Sequence, residues 1–211
     1  MPGARLRRIP GRVGERLSFL GSMLDPVRAL VNPLRYYSRL RRLLARYGLY
    51  GVAVVYFASW IGTSILTFII ILLIEFIRNA ASLNITGIMT APLRAAVYSF
   101  IFPVIAAFLD AIIILILLAP FPRERPLYDV FAVRASSLLP YGLRIVLLEA
   151  TGRLSLKSLL AATGSPVGLI LLLLGTALTI TGLKRTMKTT PGAAIIAGSG
   201  PLIYKLALAY L

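Results

Sequence analysis

The chain contains no cysteine, no histidine and no glutamine, and a single tryptophan. Without cysteine it can form no disulfide, present no thiolate nucleophile and ligate no metal through sulfur. Without histidine it lacks the usual general acid–base group and the usual nitrogen ligand for zinc or haem. No HExxH, GxSxG, Ser–His or Cys–His arrangement is therefore present. Asp110 has no second aspartate in its own apolar stretch to make a dyad. The reading is non-enzymatic, with no catalytic residue, no cofactor and no metal site. Acidic residues are also scarce, 7 Asp plus Glu against 23 Lys plus Arg, for a net charge of +16. In a soluble protein that balance would point to nucleic acid. In a membrane protein basic flanks set orientation and meet anionic headgroups, and that reading is adopted here, with no nucleic-acid partner. The low content of thermolabile residues fits a thermophilic source.

What the chain has instead is apolar sequence. Hydrophobic residues make up 58% of it and the mean hydropathy is +0.87, above the 45–50% apolar content typical of soluble domains. They collect in runs of about 18 or more, the length a helix needs to cross a bilayer. Runs such as Ile65 to Ile74 do not alternate, so a β-barrel is not indicated. The expected fold is all-α and integral to the membrane: a bundle of five transmembrane helices preceded by a basic amphipathic interfacial helix. Residues 1–15 read as a basic cytoplasmic tail, 16–48 as cytoplasmic interfacial helices, and 49–211 as the membrane domain. The five spans are expected at about 50–77, 93–119, 127–150, 166–183 and 191–211.

A signal peptide is rejected, because the only early apolar core, Leu17 to Leu24, is short, broken by Gly21 and followed by Asp25-Pro26. Asp25-Pro26 reads as a helix start, with the aspartate accepting free N–H groups. From Leu34, residues Leu34, Tyr37, Leu40, Leu44 and Tyr47 share one helical face, and Arg35, Arg39, Arg42 and Arg46 gather on the other. Such a helix lies in the headgroup plane with its arginines on phosphates; packing on another protein is the competing reading.

Ionisable residues within the apolar stretches need partners, since a lone charge at a helix centre costs about 2.5–3.5 kcal/mol on insertion scales. Asp110, Arg134, Arg144, Glu75 and Glu149 form this set. Glu75 and Arg78 are spaced to pair at i,i+3. Asp110 lies at ~13 Å and Arg134 at ~10 Å of helix rise from the same membrane face, so they are expected to pair between spans two and three. The third span is the oddest, carrying Arg134, Arg144, Ser136, Ser137 and Pro140. Lys205, near the end of span five, is expected to snorkel. Trp60 is expected to pack. Close helix approach is expected at Ala58 and Gly62, at Gly164 and Gly168, at Gly175 and Thr179, and at Ala193 and Ala197. The link from Asn79 to Pro92 reads as short and polar and holds the sequon Asn84-Ile85-Thr86.

With the N-terminus in the cytoplasm, inner segments carry 16 basic residues and outer flanks carry five. This positive-inside bias puts the chain in the cell membrane with the C-terminus outside.

The order of features resembles the Yip1 domain superfamily in its short prokaryotic form. Asp25-Pro26 precedes a basic amphipathic stretch and five spans with short loops. An aromatic, small-residue stretch (Tyr128, Phe131, Ala135, Ser136, Ser137, Leu138) ends in Pro140. Gly182-Leu183-Lys184 leaves span four, and Pro191-Gly192-Ala193-Ala194 opens span five. The link before span three departs from the family's Gly-rich pattern, being Pro-rich with Arg123 and Arg125. The resemblance implies a five-helix membrane protein and, in eukaryotic members, roles in vesicle trafficking. The functional expectation is a scaffold or interaction protein whose partners are membrane lipids, anionic headgroups, further copies of itself or other membrane subunits. A small transporter or channel using Asp110 and Arg134 is the alternative.

Overall fold

The computed structural model of the protein describes residues 18–121, 126–161 and 165–210. The basic tail 1–15, Arg123, Arg125 and Gly164 lie outside the described residues. The described chain is helical, with no strand among the described residues. In order come α1 (Phe19–Met23), α2 (Asp25–Val31), α3 (Pro33–Ala81), α4 (Ile85–Ala96), α5 (Phe102–Leu118), α6 (Pro126–Ser136), α7 (Leu138–Ala150), α8 (Leu156–Leu160), α9 (Pro166–Thr186) and α10 (Pro191–Tyr210). A π-helical turn, Val97–Ile101, joins α4 to α5.

Among the described residues four stretches are long and apolar enough to cross a membrane: 33–81, 85–118, 166–186 and 191–209. The pair α6 and α7, bent by 45° around Ser137, passes the same test when taken together. These lengths and compositions are those of a multi-pass membrane protein.

The packing is inside-out relative to a soluble bundle. The buried face of α3 carries Gly51, Val55, Ala58, Ser59, Thr63, Thr67, Ile71 and Glu75, about one residue per turn and mostly small or hydroxylated. Its outer face shows Phe57, Ile65, Leu66, Ile69, Leu73 and Phe76. Large side chains gain nothing by leaving hydrocarbon for protein, whereas small ones let backbones approach and pack. Gly62 is one such approach: a Cβ there would lie 2.5 Å from the Met23 carbonyl oxygen of α1. Ser59 donates to the Ser22 carbonyl at 3.3 Å in the same contact. α1 thus runs beside α3 to a level about 20 Å of helix rise past Gly48.

Gly48 breaks α3 with φ 54° and ψ −134°, a conformation that only glycine adopts readily. The half before it, 33–47, carries the arginines. Its apolar face does not enter lipid as expected. Tyr37, Leu40 and Leu44 are buried in one core cluster with Ala29, Val130, Val133 and Leu183, so protein takes the face that periodicity offered to the bilayer. Only Leu34, among the residues of that face, is largely exposed.

Local chemistry explains most element ends. Asn32 caps α3 by accepting from the Arg35 N–H at 3.1 Å, with Pro33 just inside. α2 does begin at Asp25-Pro26, but the Asp25 carboxylate pairs with Arg28 at 3.0 Å and caps nothing. The expected polar link over 79–92 is also corrected. Only Ser82, Leu83 and Asn84 separate α3 from α4, and Asn84 caps α4 through the Gly87 N–H at 2.9 Å. The second span therefore starts near Ile85, eight residues before the expected Leu93. The π turn falls just before Pro103, where a ring without an N–H cannot continue an α-helical ladder. Trp60 packs on Phe57 and Phe100 and donates its indole N–H to the Phe100 carbonyl of that turn at 3.1 Å.

Candidate functional site

The break between α6 and α7 is stitched by hydroxyls. Pro140 lacks the N–H that would have reached back one turn. Ser136 donates to the Val133 carbonyl at 2.8 Å and is hydrogen-bonded to the Tyr37 hydroxyl at 3.2 Å. Ser137 donates to the Arg134 carbonyl at 3.0 Å. Carbonyls at a bend in an apolar surrounding must find donors inside the protein: the Ser136 hydroxyl serves Val133, and Ser137 gives both its N–H and its hydroxyl to Arg134.

Arg134 leaves α6 at this bend and reaches α5, where its Nη2 donates to Asp110 Oδ2. Its Nη1 donates to Thr179 on α9 at 2.9 Å and to Ser137 at 3.1 Å. Thr179 in turn donates a hydrogen bond to the Gly175 carbonyl at 2.8 Å. The other carboxylate oxygen of Asp110 accepts from Lys205 Nζ on α10. Lys205 Nζ also sits 5.1 Å from the centre of the Tyr204 ring. Asp110, Arg134 and Lys205 are 1%, 6% and 3% exposed, so the charges are compensated by each other rather than by water. Two cations against one carboxylate leave the triad one positive charge in excess, and the Thr179 and Ser137 oxygens share it. A cavity of about 30 Å³ adjoins the triad, lined also by Pro140, Tyr141, Gly175 and Pro201; that is room for about one or two waters.

The structure therefore brings Asp110 of α5 and Arg134 of α6 together, as depth counting expects. It corrects the reading of Lys205, which does not snorkel but completes the triad. Lys205 lies ~21 Å of rise from Pro191, well above Asp110 by depth alone. A helical side chain leans toward its own N-terminus, and a lysine stem spans the rest. Thr179 was findable: it lies ~10 Å from the end of α9 at Thr186, level with Arg134.

The remaining polar residues form separate groups. Glu75 and Arg78 do not pair with each other. Arg78 donates to Glu149 Oε1 at 2.6 Å and to the Glu149 carbonyl, joining α3 to the end of α7. Glu75 faces Arg94 of α4 at 3.3 Å, an ion pair without hydrogen-bond alignment. The i,i+3 expectation fails because antiparallel neighbours offer each residue a cation or carboxylate at better reach. Arg144, 1% exposed, donates to the Ser158, Leu159 and Ala161 carbonyls at the end of α8. A cation there satisfies the free carbonyls of a helix C-terminus.

Of the residues expected to pack helices, Ala193 and Ala197 are 2% and 0% exposed. Gly168 is buried near the Arg144 side chain, and Gly175 touches Pro140, a Cβ there meeting the ring at 3.7 Å. Arg35, Arg42 and Arg46 are exposed and Arg39 is half-buried.

No family model, no curated protein and no solved structure matches this chain. Function has to be argued from the residues above.

Proposed function

We propose that the chain is a non-enzymatic scaffold or interaction protein of the cell membrane. In this reading α6 and α7 together make one bent span, giving five, with the arginine-bearing half of α3 as a basic amphipathic helix at the cytoplasmic face. The N-terminus is cytoplasmic and the C-terminus outside, on the excess of basic residues in the segments then placed inside. With Lys205 assigned to the triad, the outer flanks keep four basic residues, which strengthens that bias. The order of features shared with the Yip1 superfamily supports the same reading, with lipids and membrane-protein subunits as partners.

The observation that carries the proposal is the closure of the triad. Asp110 spends both oxygens on cations, and Arg134 spends its terminal nitrogens on Asp110, Thr179 and Ser137. The set ties α5, α6, α9 and α10 together as a clasp. The test is purification in mild detergent followed by light scattering and mass spectrometry. A stable homo-oligomer or a stoichiometric membrane partner is expected; a bare monomer at every protein concentration, with no partner retained, would refute it.

Transport is the second reading, favoured by one observation: the bent span breaks at Ser137, beside the triad and its cavity. Broken helices near buried charges are a common way to build an ion path. Ion flux into proteoliposomes that disappears on Asp110→Asn would establish it over the scaffold.

A further inference from the structure

The arginine-bearing half of α3 does more than present a stripe. Ser38, Arg41, Arg42 and Ala45 follow the i, i+3, i+4, i+7 spacing of one helical face, and that face forms one wall of a cleft of about 460 Å³. The opposite wall is the end of α9 and the turn after it, carrying Lys184, Arg185 and Lys188. Among the described lining residues Arg41 stands on one wall and Lys184, Arg185 and Lys188 on the other; Arg42 also lines the cleft and has a partner of its own. The volume falls within the roughly 300–1,000 Å³ of small-ligand sites.

The two walls cannot splay to relieve the charge. Leu40 and Leu44, behind the first wall, share one core cluster with Leu183 and Met187, behind the second. The turn itself is held in an unusual shape. Lys188 has φ 53°, a left-handed conformation that costs a non-glycine residue about 1–2 kcal/mol. It ends α9 sharply and keeps the lysine at the cleft. Favourable interaction with the α9 carbonyl end accounts for Lys184 and Arg185. It does not account for Arg41, brought to the same space by a different helix.

We propose that this cleft is a binding site for a multiply charged phosphate group, a terminal phosphate monoester or a pyrophosphate. An anion held between cations fixed on two rigid walls relieves their mutual repulsion. Arginine forks and lysine ammonium groups together suit a tetrahedral oxyanion with several charges, where a carboxylate could engage only part of the set. Leu49 and Tyr50, both exposed, follow the Gly48 break directly, so apolar surface adjoins the basic end of α3. The phosphate therefore comes either from a lipid headgroup or from a free solute. The inference needs the cleft alone and stands whether the chain is a scaffold or a transporter.

The test uses the full chain in nanodiscs. Native mass spectrometry reads phosphatidic acid bound in phosphatidylcholine discs, and titration calorimetry reads soluble pyrophosphate. Saturable one-to-one binding of either probe is expected. Binding of phosphatidic acid without pyrophosphate identifies the lipid source, and the converse a free solute. Arg41→Gln with Lys188→Gln should weaken binding at least tenfold. Arg153→Gln with Lys157→Gln removes the same number of charges at exposed positions outside the cleft and should change it less than twofold. Lys184→Gln, a single exposed change, gives the same readout at smaller size should the cleft pair fail to fold. Equal losses from the two pairs, or no saturable binding of either probe, would overturn the site.

Discussion

Asp110→Asn is the most informative single perturbation of this molecule. It keeps the size of the side chain and removes the only carboxylate that Arg134 and Lys205 share. Breaking a buried ion pair by deleting one partner costs about 3–5 kcal/mol, because the other charge is left uncompensated. The two cations are stranded unequally. Arg134 keeps Thr179 and Ser137, whereas Lys205, 3% exposed, keeps only the Tyr204 ring among the contacts described, and a cation–π contact is worth about 0.5–2 kcal/mol. Most of the loss should therefore trace to Lys205. The double variant Asp110→Asn/Lys205→Met should recover more than half of it, and Asp110→Asn/Arg134→Gln a smaller part. Lys205→Met alone should cost less than Asp110→Asn, since the Asp110–Arg134 pair survives it. Unfolding in mixed SDS micelles can be followed by Trp60 fluorescence, because Trp60 is the one tryptophan and packs between α3 and the π turn. A loss under ~0.5 kcal/mol for Asp110→Asn, or additive effects in the double variants, would refute the clasp.

Arg144→Met should free the Ser158, Leu159 and Ala161 carbonyls, cost roughly 2–4 kcal/mol and raise amide exchange across 151–161, given the price of unsatisfied buried groups; unchanged exchange there would mean the arginine is dispensable. Asp25 is held above the usual carboxylate range by burial, which outweighs the Arg28 guanidinium beside it. The folded state thus favours the protonated acid. The resulting stability is full below about pH 3.8, the unfolded value, and fades as pH rises through the higher folded value. Asp25→Asn should flatten that dependence and be the more stable form at pH 7; a parallel pH profile for the two proteins would sink the argument. For topology, Ser22 is only 4% exposed, so exposed Ala45 and Ser82 are the better cysteine positions. They should label from opposite faces with an impermeant reagent, and labelling from one face would contradict the odd number of crossings between them.

Where the sequence was legible, the physics was one-dimensional. Spans announce themselves by length and apolarity, and Asp110 and Arg134 by depth from a shared turn. The failures have a common cause, which is that lateral neighbours are invisible to periodicity. Leu40 and Leu44 were rightly placed on an apolar face, but nothing in their spacing distinguishes lipid from Val133 and Leu183 as the surface they meet. Glu75 and Arg78 are near each other in sequence, and each is taken by a residue from another helix, Arg94 and Glu149. Lys205 was misplaced because counting from the chain end ignores the direction in which a helical side chain leans.

The break at Gly48 has a mechanical meaning. Drawn as one rod, the 49 residues of α3 would reach about 74 Å, more than twice the thickness of a hydrocarbon core. The break folds that rod into an upright post and a separate arm, and the arm carries one wall of the basic cleft. A Cβ added at Gly48 would meet nothing within 4 Å, so glycine is favoured there by torsion and not by crowding, while Tyr37, Leu40 and Leu44 hold the arm against the core. A residue with a Cβ would set backbone strain against those contacts and against the bond between Tyr37 and Ser136, and so against the placement of Arg41 beside Lys184, Arg185 and Lys188.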